Sequence, residues 1–347
     1  MLPVPKLRFF LRSARPFLIL VLVLGWGAKR GTAKQGSGAG YRSASGPYSA
    51  SAVDDVVLHD QQRNKDLHLR IYYPDGVGTF PVIVFSHGYS GSKDGYTGLT
   101  RFWAEHGYVT LQPTHDDSFA LRRQQGGLRA LREAIGNMEE EIDDPNAWAN
   151  RVRDITFVMD SLGDFERRVP GLKGKMDPKQ IGVGGHSFGA YTTMLIGGAT
   201  VDIPDGPQGK SYADARPKAL LVISGQGISR MGLTEHSWTK ITRPMMVMTG
   251  SRDRGFKGQD PDWRKQPYDF SPAGDKFFVY IEGASHMTFT GRPAEMGREP
   301  AAPFEDAKIS SLAFWDTYLK QAAAAKAYLA SGALEVETRG SVTLSRK

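Results

Sequence analysis

The chain has 347 residues and no cysteine. That excludes disulfides, a cysteine nucleophile and thiolate metal sites. Long apolar runs are scarce as well. The strongest, Phe17–Leu24, has eight residues, far short of the roughly 20 that span a bilayer. No internal repeat appears, and no basic stripe interleaved with aromatics, so a solenoid and a nucleic-acid surface both lack support. The formal charge of +7 is partly a property of one end. Residues 1–27 hold four basic and no acidic residues, and without them the charge is +3.

What those first residues do have is an export pattern. Lys6, Arg8, Arg12 and Arg15 precede the apolar run, and Gly25-Trp26-Gly27 follows it with small residues in cleavage-like spacing. We expect a signal peptide over 1–27, with an uncleaved anchor through residues 17–24 as the alternative, and an exported protein, periplasmic or extracellular. No twin arginine occurs within residues 1–27, so a general export route is expected. Without an anchor, no stable membrane partner is expected. Residues 28–51, rich in Gly, Ser and Ala, read as a flexible linker. One domain is expected over 52–330, leaving 331–347 as a tail without assignment. A content of 40% hydrophobic and 23% charged residues is ordinary for a globular domain.

Gly185-His186-Ser187-Phe188-Gly189 fits G-x-S-x-G. An apolar segment, Gln180–Gly184, precedes it, and Ala190–Ile196 continues as a helix. This is the context of a nucleophile elbow, in which a serine on a tight strand-to-helix turn exposes its hydroxyl. The competing reading is a nucleotide loop starting at Gly182. Ser187 then stands where the third glycine belongs, and no early βαβ unit opens with it.

A serine nucleophile needs a base and an acid, in the chain order Ser, acid, His. Only His236 and His286 follow Ser187. His286 ends the strand-like run Lys276–Ser285, and sites form at the carboxyl ends of parallel strands. His236 has no strand immediately before it. The apolar run Met245–Thr249 ends near Asp253, the expected acid; Asp202, Asp205 and Asp214 lie in a loop and are weaker candidates. Phe80–Ser86 leads into His87-Gly88-Tyr89, where the amide of Tyr89 joins that of Phe188 as oxyanion donors. The acyl pocket is expected between Tyr89 and the loop carrying Gln226 and Trp238.

Val84–Gly88, Pro113–Ser118 and Gly185–Ala190 resemble the α/β-hydrolase superfamily. Within it, the chain is similar to the branch of platelet-activating-factor acetylhydrolases, dienelactone-hydrolase-like esterases and bacterial polyester hydrolases. The likeness runs over residues 52–320. It implies an α/β-hydrolase fold, with a mostly parallel central sheet, an antiparallel N-terminal hairpin and helices on both faces. Two departures stand out. The acetylhydrolases place the acid one strand earlier, where this chain has Gly225-Gln226-Gly227. Dienelactone hydrolases proper use a cysteine.

Val56–His59 and Leu67–Tyr73 alternate like that hairpin. Asp144-Pro145 caps a helix with Trp148, Val152, Ile155 and Met159 on one face. Leu128, Leu131, Ile135, Met138 and Ile142 recur at helical spacing inside an insertion, 119–143, that is either a lid or a surface helix. Glu139–Glu141 reads as a solvated flank. Phe304–Leu329 reads as one long helix. The expected activity is carboxylic ester hydrolysis through an acyl-serine, with no cofactor, no metal and no nucleic-acid partner. The substrate is expected to be a small- to medium-acyl or polyester-like ester. An amidase or peptidase with the same triad, or an inactive exported binding protein, are the alternatives.

Overall fold

The apolar runs become strands of one nine-stranded sheet in the computed structural model, which describes residues 45–347. β1 (Ala50–Asp60) and β2 (Lys65–Pro74) form the antiparallel hairpin. β3 (Phe80–Ser86), β4 (Val109–Pro113), β5 (Met176–His186), β6 (Pro217–Ile223), β7 (Met245–Arg252) and β8 (Lys276–Ser285) run parallel. β9 (Val342–Arg346) returns antiparallel along β8. The spatial order is β1-β2-β4-β3-β5-β6-β7-β8-β9.

The parallel strands are apolar on both faces because helices cover both. Val82 and Val84 of β3 point into one core; Ile83 and Phe85 point into the other. α4 (Pro145–Asp160) and α6 (Phe188–Gly197) lie on the first side, with Trp148, Ile155 and Tyr191 inward. α1 (Thr97–Glu105) and the helix Ala302–Tyr318 lie on the second, bringing Trp103 and Trp315. β5 alternates valine or isoleucine with glycine for this reason. A β-carbon at Gly182 would come 2.6 Å from the Trp315 ring, so the missing side chain makes room for the indole.

Several expectations need correction. The linker ends before residue 51: Tyr48 packs edge-on against Phe80, and β1 opens at Ala50. The long terminal helix is two. Ala302–Tyr318 stops where Gln321 turns left-handed (φ 56°) and the Ala322 amide closes on the Asp316 carbonyl. A second helix, Ala323–Ala330, follows. The unassigned tail supplies β9, which covers the β8 edge. The insertion holds two helices rather than one face. α2 (Phe119–Gly136) is broken at Gly127 (φ 64°, ψ −155°), and α3 (Met138–Ile142) follows Asn137. The leader and most of the linker lie outside the described residues. Among those described, no helix is long and apolar enough to cross a membrane.

Candidate active site

Ser187 sits between β5 and α6 with φ 56° and ψ −117°. A non-glycine residue there is strained by about 1–3 kcal/mol, so the surroundings must hold it. They do so with two close approaches that glycine alone permits. A β-carbon at Gly185 would collide with the Gly189 carbonyl, and one at Gly189 with the Ser86 carbonyl. The Ser187 amide donates to the Ile223 carbonyl of β6 at 2.9 Å. Its hydroxyl does not cap α6 and so stays available.

Asp253 follows β7 and is fully buried. One carboxylate oxygen accepts from Ser224 (2.6 Å) and Thr249 (2.9 Å). The other accepts from His286 Nδ1 at 2.8 Å and faces the Arg264 guanidinium at 2.9 Å. Burial pushes the carboxyl pKa up, but the His286 hydrogen bond and the Arg264 charge outweigh it, bringing it down to about 2. The group is a carboxylate throughout the physiological range. With Nδ1–H committed to Asp253, His286 keeps Nε2 free. Its backbone is tied too: His186 Nε2 donates to the His286 carbonyl at 2.9 Å, and the two rings lie 4.5 Å apart. The Tyr96 hydroxyl donates to His186 Nδ1 at 2.8 Å and accepts from the Gly88 amide at 3.2 Å. One short chain of bonds thus links the loop after β3 to the loop after β8.

That β3 loop reaches Ser187. A β-carbon on Gly88 would lie 3.3 Å from the Ser187 β-carbon. Phe188, on the other side, is the first residue of α6, where backbone N–H groups lack helical partners.

A chlorophyllase family model matches residues 43–136, which contain β1 to β4 and the β3 loop. Platelet-activating factor acetylhydrolase of Cavia porcellus is 24% identical over 136 residues, 33% of this chain and 31% of that protein. The protein named "Putative phospholipase A2" in Schizosaccharomyces pombe is 26% identical over 170 residues, 38% of this chain and 37% of that protein. The chain spans about a third of the length of these curated relatives. Together with the strand order and the elbow, these matches decide the fold family. The chain has the α/β-hydrolase fold.

In this fold a cavity of about 510 Å³ opens at the carboxyl ends of the parallel strands, lined by Ser187, His286, Tyr89, Phe188 and Gln226 among others. Gln226 Oε1 is buried there without a hydrogen-bond partner. Trp238, expected beside it, is elsewhere. It is fully buried, stacked on Phe270 (ring centroids 6.0 Å apart), with its indole N–H on the Met194 sulfur. The loop folds back into the core, which takes the large apolar ring. Trp263 lines the cavity instead, its N–H on the Ile228 carbonyl at 3.0 Å. His236 is exposed, Asp202 accepts from the Gly209 amide, and Asp214 pairs with Arg216; Asp205 is exposed.

The mouth also departs from expectation. Met138 and Ile142 reach the cavity, whereas Leu128 and Ile135 are 59% and 54% exposed. The acidic run is not a free flank. Glu139 pairs with Lys257 and Arg230, and Glu141 accepts from Arg122 and from the Tyr89 hydroxyl (2.9 Å). These bonds tie α3 to the loops after β3, β6 and β7. Nor is the rim without exposed apolar groups: Phe256 and Met287, both lining the cavity, are 65% and 51% exposed.

Sequence reasoning missed a buried polar cluster behind the β3 loop. Ser86 Oγ donates to His115 Nε2 (2.9 Å), and His115 Nδ1 donates to Asp154 (2.8 Å). That is a second Ser-His-Asp arrangement, but all three side chains are at most 1% exposed. Ser86 and His115 are closed off from solvent. Arg63 and Lys65 of the hairpin also donate to Asp154. Arg151 and Asp117 form an adjoining pair. The signal was present: Arg151 and Asp154 lie on α4 among its buried Trp148, Val152 and Ile155, and a charge on a buried stripe demands a partner.

Proposed function

We propose that the chain is a serine esterase cleaving carboxylic esters through an acyl-serine. The carrying observation is the 2.8 Å bond between His286 and buried Asp253, with His286 and strained Ser187 on the wall of one cavity. Ser187 Oγ attacks the ester carbonyl carbon while His286 Nε2 takes its proton. Asp253 holds the ring and stabilises its charged form. The Tyr89 and Phe188 amides receive the oxyanion, each contributing about 3 kcal/mol in comparable sites. Collapse expels the alcohol, which leaves with the proton from Nε2. Water, deprotonated by the same nitrogen, then releases the acid.

Small- to medium-acyl or polyester-like esters fit the polar, glycine-containing start of the β6 loop, where Gln226 is the expected substrate-binding group. Both relatives are named for hydrolysis of ester-bearing lipids, which supports ester chemistry in general. The basic leader supports export, to be tested by N-terminal sequencing of extracellular or periplasmic material. A fluorophosphonate probe tests the nucleophile, labelling wild type and sparing Ser187→Ala. Turnover of p-nitrophenyl esters with no turnover of the matching anilides is the expected result. The reverse preference would make the enzyme an amidase, and no labelling would make it a binding protein.

A further inference from the structure

We propose that Arg151 is a positioning residue that clamps both halves of the oxyanion hole from behind. The proposal rests on the esterase reading for its donors and on the packing of α4 for its geometry.

Arg151 is 2% exposed. Its Nη1 donates to the His87 carbonyl at 2.7 Å and its Nη2 to the Gly88 carbonyl at 3.3 Å. The second contact is the informative one. The Gly88 carbonyl belongs to the same peptide group as the Tyr89 N–H. Carbonyl and N–H point in opposite directions across a trans peptide. Fixing the oxygen in the buried cluster therefore turns the Tyr89 N–H the other way. A cation on the oxygen also polarises the peptide and strengthens its N–H as a donor.

Two further donors share that oxygen: the Gly91 amide at 3.1 Å, which closes the turn, and His87. Its Nδ1 lies 2.6 Å from the Gly88 carbonyl, which can only accept, so Nδ1 carries the proton. Its Nε2 then accepts from the His115 amide at 3.0 Å. Burial, helped by Arg151, lowers the His87 pKa to about 4, so this neutral tautomer persists at neutral pH. The 3.4 Å approach of Arg151 Nη2 to His87 Nδ1 is thus a contact between two donors, not a hydrogen bond.

The same guanidinium lies against the side chain of Phe188, whose backbone N–H is the second donor. Arg151 Cζ stands 4.3 Å from the centroid of the Phe188 ring. Asp117 holds the guanidinium in place with contacts of 2.7 and 2.9 Å to Nη2. One cation thus touches the peptide of one expected oxyanion donor and the side chain of the other.

The test uses the full chain with Arg151→Met and Asp117→Asn, each checked for folding by circular dichroism and melting. Two quantities are measured: kcat and KM on p-nitrophenyl butyrate, and affinity for an alkyl trifluoromethyl ketone. The ketone carbonyl carbon accepts Ser187 Oγ, the serine proton passes to His286, and the ketone oxygen becomes an oxyanion in the hole. We expect Arg151→Met to lower kcat about 100-fold with KM within threefold, and to weaken the ketone by a similar factor. Added guanidinium should restore part of both losses. Asp117→Asn should show a smaller loss of the same kind, and it carries the test if Arg151→Met does not fold. A folded variant that keeps kcat and ketone affinity within threefold of wild type overturns the clamp. So does a loss confined to KM. Ketone binding needs a nucleophilic serine but no ester turnover. If wild type binds the ketone yet leaves esters intact, the esterase reading has failed while the clamp is still measured.

Discussion

Ser187 holds its backbone at a conformational cost, and the cost is measurable. At φ 56° and ψ −117° a glycine would be unstrained. Ser187→Gly is expected to raise the unfolding free energy by about 1 kcal/mol, whereas Ser187→Ala keeps the strain. Both should abolish ester turnover. Urea unfolding of the three proteins checks the order; a glycine variant less stable than the alanine variant would contradict the strain. Asp253 sets a second test. Asp253→Asn is expected to lower kcat by about 10⁴-fold, because His286 loses its orienting anion. Its folded pKa of about 2 lies below the ordinary 3.8. The stabilisation from the ionised group is therefore complete above pH 4 and is lost as pH falls through 2. That difference corresponds to about 2 kcal/mol. Between pH 5 and pH 2 the wild type should lose about that much more stability than Asp253→Asn. Equal acid sensitivity in urea titrations would mean that the ionised contacts do not hold the fold.

Among the elements, the parallel strands were the most legible. Runs such as Phe80–Phe85 and Ala219–Ile223 are apolar at every position, and only a strand covered on both faces needs that. The candidate residues at their carboxyl ends were legible for the same reason. The insertion was not. Its apolar residues repeat at helical spacing, but spacing cannot register that Gly127 breaks the helix or that Asn137 ends it. Gly127 has φ 64° and ψ −155°, a conformation nearly restricted to glycine. Gly127→Ala should loosen α2 locally, since Ala134 is its one buried residue. Trypsin should cut faster at Arg123 and Arg129, with the melting temperature within about 2 °C of wild type. A large drop in melting temperature would mean that α2 is integral to the core. That the buried stripe of α4 carries Arg151 and Asp154 was legible, but which residues partner them was not. Those partners come from β3 and the loop after β4, among others, and only the tertiary fold brings these together with α4.

For the molecule as a whole, the cavity and its rim set expectations about substrate. The space near Ser187 is about 510 Å³, and ion pairs tie α3 across its mouth. A series of p-nitrophenyl esters from acetate to palmitate is expected to peak in kcat/KM at short to medium acyl chains. Exposed Phe256 and Met287 make the opposite outcome concrete. A maximum at palmitate, with activation at an oil–water interface, would make residues 119–143 a lipase lid and the rim its contact surface. Trp238 shows where sequence reasoning stopped at this scale. Its loop lines the cavity at Gln226, but whether a loop aromatic faces the cavity or the core depends on how the chain returns to the sheet.

The dispersal of the site along the chain bears on how the protein is made. Ser187, Asp253 and His286 follow β5, β7 and β8, and β8 is flanked by β7 and by the late strand β9. Contacts of such sequence separation form slowly, because long loops must close before they are rewarded. Reactivity toward a fluorophosphonate would therefore be a late event in refolding, appearing after the β8–β9 pairing rather than with the first helical signal.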